Sequence, residues 1–522
     1  MTDLIYDATT VWELVERRVA RTPDTVMLLD EGDGRVTFAE FAARCERVAA
    51  GLVALGIGPG SVVAWQLPTR IDSVVLMFAL ARLGAVQAPI IPIYRGREVG
   101  AVLAQTGTEW FFVPGVWRGF DYEQMGHELS AAAGRDGGKA FAVVAVGDGL
   151  PEGDPAATSS TLPVAPTDPE EIRWYYSTSG TTSAPKCVRH SDASLLAGGF
   201  GLADALGAGP GDVGSICFPV THIGGPDYVI MMLAHGFGAV LVEMFDAEAC
   251  VPLFNRHHVS ISGGSTAFYL AFLREQRKDP STPVIPSLRI LSGGGAPKPP
   301  EVFRQVRDEM GIPVMHGYGM TECPMICQGG VGDTDEQLTN TEGKPVLGCE
   351  VRVVGADGAA VAPDAEGEIR VRGPMLFRGY TDAEQTAEAF DDDGWFVTGD
   401  RGVKRADGHV FLTGRSKEMI IRKGENISPR EIEDVLMEHP RVNAVAVIGL
   451  PDEERGELVC ACVEMRPGEA PLTFAEMQEH CRTAEIMTQK IPERLEVLEV
   501  LPRNATFKIL KHELKAQFTE RR

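Results

Sequence analysis

Several stretches of this 522-residue chain carry side chains that could grip and turn over a phosphorylated ligand. Ser177 to Lys186 reads STSGTTSAPK, in which seven of ten residues are Ser, Thr or Gly and the last is a cation. Small residues let backbone N–H groups approach an anion, hydroxyls add donors, and Lys186 adds a mobile point charge. A flexible, solvated linker is the alternative reading of the same composition. The GK[ST] ending of a Walker A loop is absent. Downstream lie Gly294, Gly295, Ala296 and Pro297, and then HGYGMTE over residues 316 to 322, where a hydroxyl and a carboxylate follow a pair of glycines. A turn carboxylate, Asp400, sits in GWFVTGD, and a basic tail begins at LPRNATFKILK.

The elements around these stretches alternate in type. Thr37 to Glu40 forms a capping box, which predicts a helix through Phe41, Val48 and Leu52 that stops near Gly56. Ser61–Leu67 reads as a strand, Asp72–Leu83 as a helix and Ala85–Ile91 as a second strand. Repeated strand and helix units imply an α/β fold with largely parallel sheets covered on both faces. Ser215–Val220, Leu288–Leu291 and Gly311–Met315 read as strands that end in Gly-rich polar turns, and such turns converge on one crevice beyond the carboxyl ends of a parallel sheet. Residues 343 to 401 shift to short strands with close turns, a β-rich subdomain. The last hundred or so residues are enough for a small α+β domain. The boundary is placed near Arg415, giving a large N-terminal domain over 1–415 and a C-terminal domain over 416–522.

Composition narrows the classes of partner. A net charge of -24 argues against nucleic acid or an anionic membrane surface as the main partner, so an anionic ligand must be met by local donors. The apolar run from Val74 to Ile93 is broken by Arg82, Gly84, Pro89 and Pro92 and reads as a buried helix and strand, not a membrane span. Neither a signal peptide nor paired CxxC spacing stands out, and ten scattered cysteines suit a reduced, cytoplasmic protein. A homodimer is left open.

Taken together and in order, these motifs resemble the adenylate-forming superfamily of acyl-CoA synthetases, luciferases and peptide-synthetase adenylation domains, over nearly the whole chain. The resemblance implies a large domain with a small, mobile C-terminal one, and activation of a carboxylate by ATP as acyl adenylate with release of pyrophosphate. STSGTTSAPK resembles the loop holding the β- and γ-phosphates, which assigns ATP contacts to Thr178, Ser179, Gly180, Thr181, Thr182 and Lys186; Ser183 and Cys187 stand where the family has glycine. Gly294, Gly295, Ala296 and Pro297 resemble the adenine-lining turn, although any tight turn reads alike. Tyr318 matches the residue stacked on adenine, Thr321 a donor to the α-phosphate and Glu322 the Mg²⁺ ligand. Asp400 and Arg415 match the ribose-binding pair, and Lys417 the hinge residue. Gly424 matches the glycine past which pantetheine runs. His222 matches the residue that gates the acyl pocket and touches the reacting carboxylate; Ile223 replaces the aspartate of amino-acid-activating relatives, so an α-amino acid is disfavoured. Lys508 matches the adenylation lysine, with Phe507 where the family has glycine. If that backbone position has a positive φ, phenylalanine is strained there.

The resemblance further implies a coenzyme A co-substrate and a small-molecule carboxylic acid, whose pocket draws on His222, Ile223, Thr266, Gly293, Tyr318 and Met325. Those side chains are mostly apolar or small, which suits a fatty, alicyclic, aromatic or steroid-derived acid. Two readings stand beside acyl-CoA synthesis: an acyl-AMP ligase that loads a separate carrier protein, and a degenerate adenylate-binding protein without activity.

Overall fold

The computed structural model describes residues 4–32, 34–135, 138–147, 149–158, 162–178, 185–423, 425–452, 454–504 and 507–519. The predicted capping box is present: the Thr37 hydroxyl accepts from the Glu40 amide, the Glu40 carboxylate accepts from the Thr37 amide, and the helix Phe38–Ala54 follows. The next helix, Ile71–Leu83, is buried along nearly its whole length and ends on Gly84 at φ 70°, as a left-handed helix stop requires. This is the apolar run of the sequence, sunk in the core. Among the described residues no helix is long and apolar enough to cross a membrane.

Two large, mainly parallel sheets form the N-terminal domain. One has the order Lys344–Pro345, Cys323–Gln328, Val314–Met320, Ile290–Gly293, Ile261–Gly264, Val213–Ile216, Gly238–Leu241, Val26–Leu29 and Arg35–Thr37, parallel through its middle and antiparallel at both edges. The other runs Cys187–Ser191, Ile172–Ser177, Val86–Pro89, Val62–Trp65, Trp110–Val113 and Ala142–Ala145, antiparallel only in its first pair. A four-stranded antiparallel sheet, Glu350–Val354, Glu366–Arg372, Phe396–Lys404 and Val410–Arg415, forms the expected β-rich part. The smaller C-terminal domain wraps Ile420–Arg422, Glu425–Ile427, Val442–Asp452, Gly456–Met465 and Arg494–Leu498 with the helices Pro429–Met437, Phe474–Thr483 and Lys511–Thr519. The described cysteines are free, and all but Cys349 are buried.

Two expectations need correction. The strand expected over Ser215–Val220 is Val213–Ile216, so His222 lies in the turn beyond it, just before the helix Gly224–His235. HGYGM is also strand, not turn: Val314–Met320 continues through it because it pairs on its far side with Cys323–Gln328. Its glycines are what that hairpin demands, since a Cβ on Gly317 would meet Gln328 Oε1 at 2.3 Å and one on Gly319 would meet the Pro324 carbonyl oxygen at 2.1 Å.

A buried ion pair joins the two domains. Arg430, on the first helix of the C-terminal domain, donates to Glu342 Oε1 at 2.8 Å, and Glu342 Oε2 accepts from the Leu412 amide at 3.1 Å. Both side chains are under a tenth exposed. Removing one member leaves an uncompensated buried charge, so Arg430→Ala is expected to lower stability by about 3 kcal/mol. Denaturant unfolding of the intact chain checks this, with Glu342→Gln/Arg430→Met recovering most of the loss; a single-variant loss well under about 1 kcal/mol would contradict it.

Candidate active site

Three of the sequence-predicted residues, Asp400, Tyr318 and Arg415, meet at one carboxylate. Asp400, 4% exposed, accepts at Oδ2 from the Tyr318 hydroxyl at 2.6 Å and at Oδ1 from Arg415 Nε at 2.9 Å. The pairing of Asp400 with Arg415 follows from backbone register, because the two face each other across adjacent strands. Burial and the neighbouring Asp400 carboxylate push the Tyr318 phenol up, so it stays a donor. An ionised carboxylate offers about four lone-pair sites, so a diol could be accepted beside the two contacts already made.

Lys508 reaches this cluster from the C-terminal domain. Its turn is held by Asn504, whose amide donates to the Lys508 carbonyl oxygen at 2.9 Å and whose Oδ1 accepts from the Lys508 amide at 2.9 Å. Burial and the Arg415 guanidinium pull the Lys508 ammonium down to about 8, opposed by Glu418 and Asp400. Lys511, half-buried, pairs with Glu418 at 3.2 Å and Glu433 at 2.8 Å, which leaves Lys508 as the cation of the tail that lies in the fields of Asp400 and Arg415.

Thr321 and Glu322 occupy the hairpin turn after Met320. The Thr321 carbonyl oxygen accepts from His190 Nε2 at 2.8 Å, and His190, with Nδ1 on the Ser194 hydroxyl, is driven down to about 4 by burial and is neutral. Glu322 Oε1 accepts from the Tyr380 hydroxyl at 2.8 Å, and the Lys186 ammonium lies 4.8 Å from the centre of the Tyr380 ring, a cation–π contact. Tyr380 and His190 were not foreseen as parts of the site. Their partners lie 58 and 131 residues away in sequence, and no local pattern marks them. Among the described residues no three acidic, His or Cys side chains converge on a metal cage. A single carboxylate with spare lone pairs, completed by phosphate oxygens and water, fits what Mg²⁺ prefers.

The Gly294 to Pro297 turn is fixed from below by His316, which donates from Nε2 to the Ala296 carbonyl oxygen at 2.9 Å and accepts the Tyr269 hydroxyl at Nδ1, 3.2 Å. Gly295 has φ 76° and open space where a Cβ would be, while a Cβ on Gly294 would meet the Gly317 carbonyl oxygen at 2.6 Å. Thr266 donates to the Pro297 carbonyl oxygen at 2.6 Å. His222 accepts the Gly224 amide at Nδ1, 3.2 Å, and burial pulls its ring down to about 4. The neutral ring therefore carries its proton on Nε2. Ile223 is buried, and Met325 is half-buried.

Thr178 donates its amide to the Lys186 carbonyl oxygen at 2.9 Å, closing the neck of the Ser/Thr/Gly loop. Ser179, Gly180, Thr181, Thr182 and Ser183 lie outside the described residues, as does Gly424. Cys187 is the first residue of a strand, paired with Ser177, and nothing in that extended setting calls for glycine. Lys417 is exposed. Phe507, by contrast, has φ 61°, the conformation in which a glycine would be at ease.

Comparison with known proteins gives the family. The sequence matches the AMP-binding enzyme family over residues 15–381 and the AMP-binding enzyme C-terminal domain over 431–508. It is 32% identical over 510 residues to a salicyl-AMP ligase / salicyl-S-ArCP synthetase of Mycobacterium tuberculosis, covering 95% of this chain and 88% of that protein. It is 29% identical over 522 residues to the medium-chain fatty-acid–CoA ligase of Escherichia coli, covering 98% and 90%. Among solved structures, o-succinylbenzoate coenzyme A synthetase of Bacillus subtilis in complex with ATP and magnesium ion superposes with a TM-score of 0.79 at 27% identity, covering 96% of this chain and 99% of that one. The chain belongs to the AMP-binding enzyme family of adenylate-forming ligases and has both the large domain and the smaller C-terminal domain of that family.

Proposed function

We propose that the protein activates an apolar carboxylic acid with ATP as an acyl adenylate and then passes the acyl group to coenzyme A, with 1–415 as the adenylation domain and 416–522 as the domain that carries Lys508. The observation that carries this reading is the placement of Lys508, from the far end of the chain, in the fields of Asp400 and Arg415. In the first step a carboxylate oxygen bonds to the α-phosphorus and the bond to pyrophosphate breaks. In the second, the coenzyme A sulfur bonds to the acyl carbon, AMP leaves and the thiol proton is lost to solvent.

Each side chain has a definite task in this scheme. Asp400 and Arg415 hold the ribose, and Tyr318 with the turn from Gly294 to Pro297 holds adenine. Thr178, Lys186 and the Ser179 to Thr182 loop grip the pyrophosphate that leaves. Thr321 donates to the α-phosphate from a turn braced by His190. His222, neutral with a proton on Nε2, donates one hydrogen bond to the attacking carboxylate and steers it without the full charge pairing that would blunt its attack. Glu322, oriented by Tyr380, would hold Mg²⁺ together with phosphate oxygens. The ion would offset negative charge on those oxygens. Lys508 meets charge that develops on the phosphate oxygens, the kind of positioned electrostatic help that dominates phosphoryl and nucleotidyl transfer. Gly424 would border the thiol channel in the second step.

Ile223, Tyr318 and Met325 make the acyl side mostly apolar, and a buried ammonium would find no acidic partner at Ile223. A second reading, delivery of the acyl group to a carrier protein, is supported by the similarity to the salicyl-S-ArCP synthetase. Mass spectrometry of reactions given coenzyme A or a phosphopantetheinylated carrier protein separates the two: acyl-CoA formed without carrier supports the first, and acylation of the carrier alone supports the second.

Lys508→Ala is expected to raise the adenylation barrier by about 3 to 4 kcal/mol while sparing thioester formation from supplied acyl adenylate. Equal loss in both steps, read by rapid quench, would remove Lys508 from this role. Burial and Arg415 hold the ammonium down at about 8, and it is needed in its charged form. The kcat/KM for ATP should therefore hold below that pH and fall as pH rises through it, and the Lys508→Ala variant should lack this limb.

A further inference from the structure

Phe507 combines an unfavourable backbone with a well-built seat for its ring. At φ 61° it lies in the left-handed region, which bulky residues avoid and keep only where their surroundings hold them there. The turn supplies part of that hold: the Phe507 amide donates to the Asn504 carbonyl oxygen at 2.9 Å, and Arg503 bridges Ile509 across the turn. The rest comes from the other domain. The Phe507 ring meets Phe268 edge to face at 5.3 Å and 81°, and Phe245 at 6.3 Å and 83°. These two rings lie 4.1 Å apart, and Phe245 rests on Phe272, which in turn packs on Phe254. Phe268, Phe272 and Phe254 are fully buried, so the seat is rigid core rather than mobile surface.

The seat also adjoins the nucleotide turn. A Cβ on Gly264 would lie 2.9 Å from the Phe268 ring, and the Gly264 carbonyl oxygen accepts the Gly294 amide at 2.8 Å. Consecutive residues of one tight turn thus face two features of the large domain: Phe507 the aromatic seat, Lys508 the Asp400 and Arg415 pair. A glycine at 507 would relax the backbone and leave the seat empty.

We propose that Phe507 is a positioning residue for Lys508, an aromatic peg whose docking against the packed pair Phe245 and Phe268 of the large domain sets the lysine at the nucleotide site. The inference rests on the reading that Lys508 serves adenylation. Withdrawing the peg costs two ring contacts, so the docked arrangement is held by this contact and adenylation depends on it.

The test compares Phe507→Gly, Phe507→Ala, Phe507→Tyr and Phe268→Ala in the full-length protein. The first readout is labelling of the Lys508 amine by acetic anhydride without any ligand, quantified by mass spectrometry against the exposed Lys278. Loss of ring contacts, both of them in the glycine and alanine variants and the Phe268 one in Phe268→Ala, should raise Lys508 labelling by about tenfold. Phe507→Tyr, which keeps the ring, should retain protection. The second readout is single-turnover acyl-AMP formation, expected to slow by about tenfold in the same three variants, with thioester formation from supplied acyl adenylate unchanged. The alkaline limb of kcat/KM should move upward as Lys508 gains water. Phe507→Ala combined with Phe268→Ala should be no worse than either alone, because both empty one seat. Phe507→Gly with unchanged protection and unchanged adenylation would overturn the proposal, as would additive effects in the double variant. Lys508→Ala separates the two levels: normal adenylation in that variant would overturn the role of Lys508 itself, whereas a crippled Lys508→Ala beside normal Phe507 variants would overturn only the peg.

Discussion

A carboxylate that is almost wholly withdrawn from water has to be paired, and Asp400 is paired by groups from separate parts of the fold. Tyr318 comes from a strand of the large nine-stranded sheet, Arg415 from the last strand of the four-stranded sheet, and Lys508 approaches from the C-terminal domain. Each is placed by backbone: Tyr318 by a hairpin that admits only glycines on either side of it, Arg415 by cross-strand register, and Lys508 by the clamp of Asn504. The site is thus where two sheets and a turn of the C-terminal domain must agree. A slip of one residue in the Val410–Arg415 strand would turn Arg415 to the opposite face and leave Asp400 with one partner.

The interface between the domains has a similar logic of opposed costs. Phe507 stores roughly 1–3 kcal/mol of backbone strain, the usual scale for a bulky residue held in the left-handed region. Two edge-to-face contacts offset about that much, at roughly 0.5–1.5 kcal/mol each. The buried pair of Glu342 and Arg430 nearby is of another kind, since its separation would strand a charge. Burial pushes the neighbouring Asp434 up to about 7, with Arg430 opposing.

Much of the fold was legible in the sequence because local rules agreed with tertiary ones. The Thr37 capping box and the buried helix ended by Gly84 formed where periodicity and caps placed them. HGYGM was misread as a turn because paired glycines normally signal one, whereas here they are glycine so that a hairpin partner can approach. In the site, Tyr318, Asp400, Arg415 and Lys508 were nameable from motifs, and the structure brings them together. Tyr380 and His190 were not, since a tyrosine that orients Glu322 and a neutral histidine that braces a carbonyl make their contacts only after folding. Phe507 lay between these cases: its identity was visible, its dihedral was conditional, and its seat was invisible.

If this assembly makes acyl adenylates, its first step also runs in reverse. The most direct measurement is incorporation of labelled pyrophosphate into ATP, run with a panel of fatty, alicyclic, aromatic and steroid-derived acids and with product nucleotide identified. Acid-dependent exchange is expected, with AMP as the nucleotide released when an acceptor thiol is added. Binding of ATP without exchange for any acid, or turnover that releases ADP and phosphate, would contradict it.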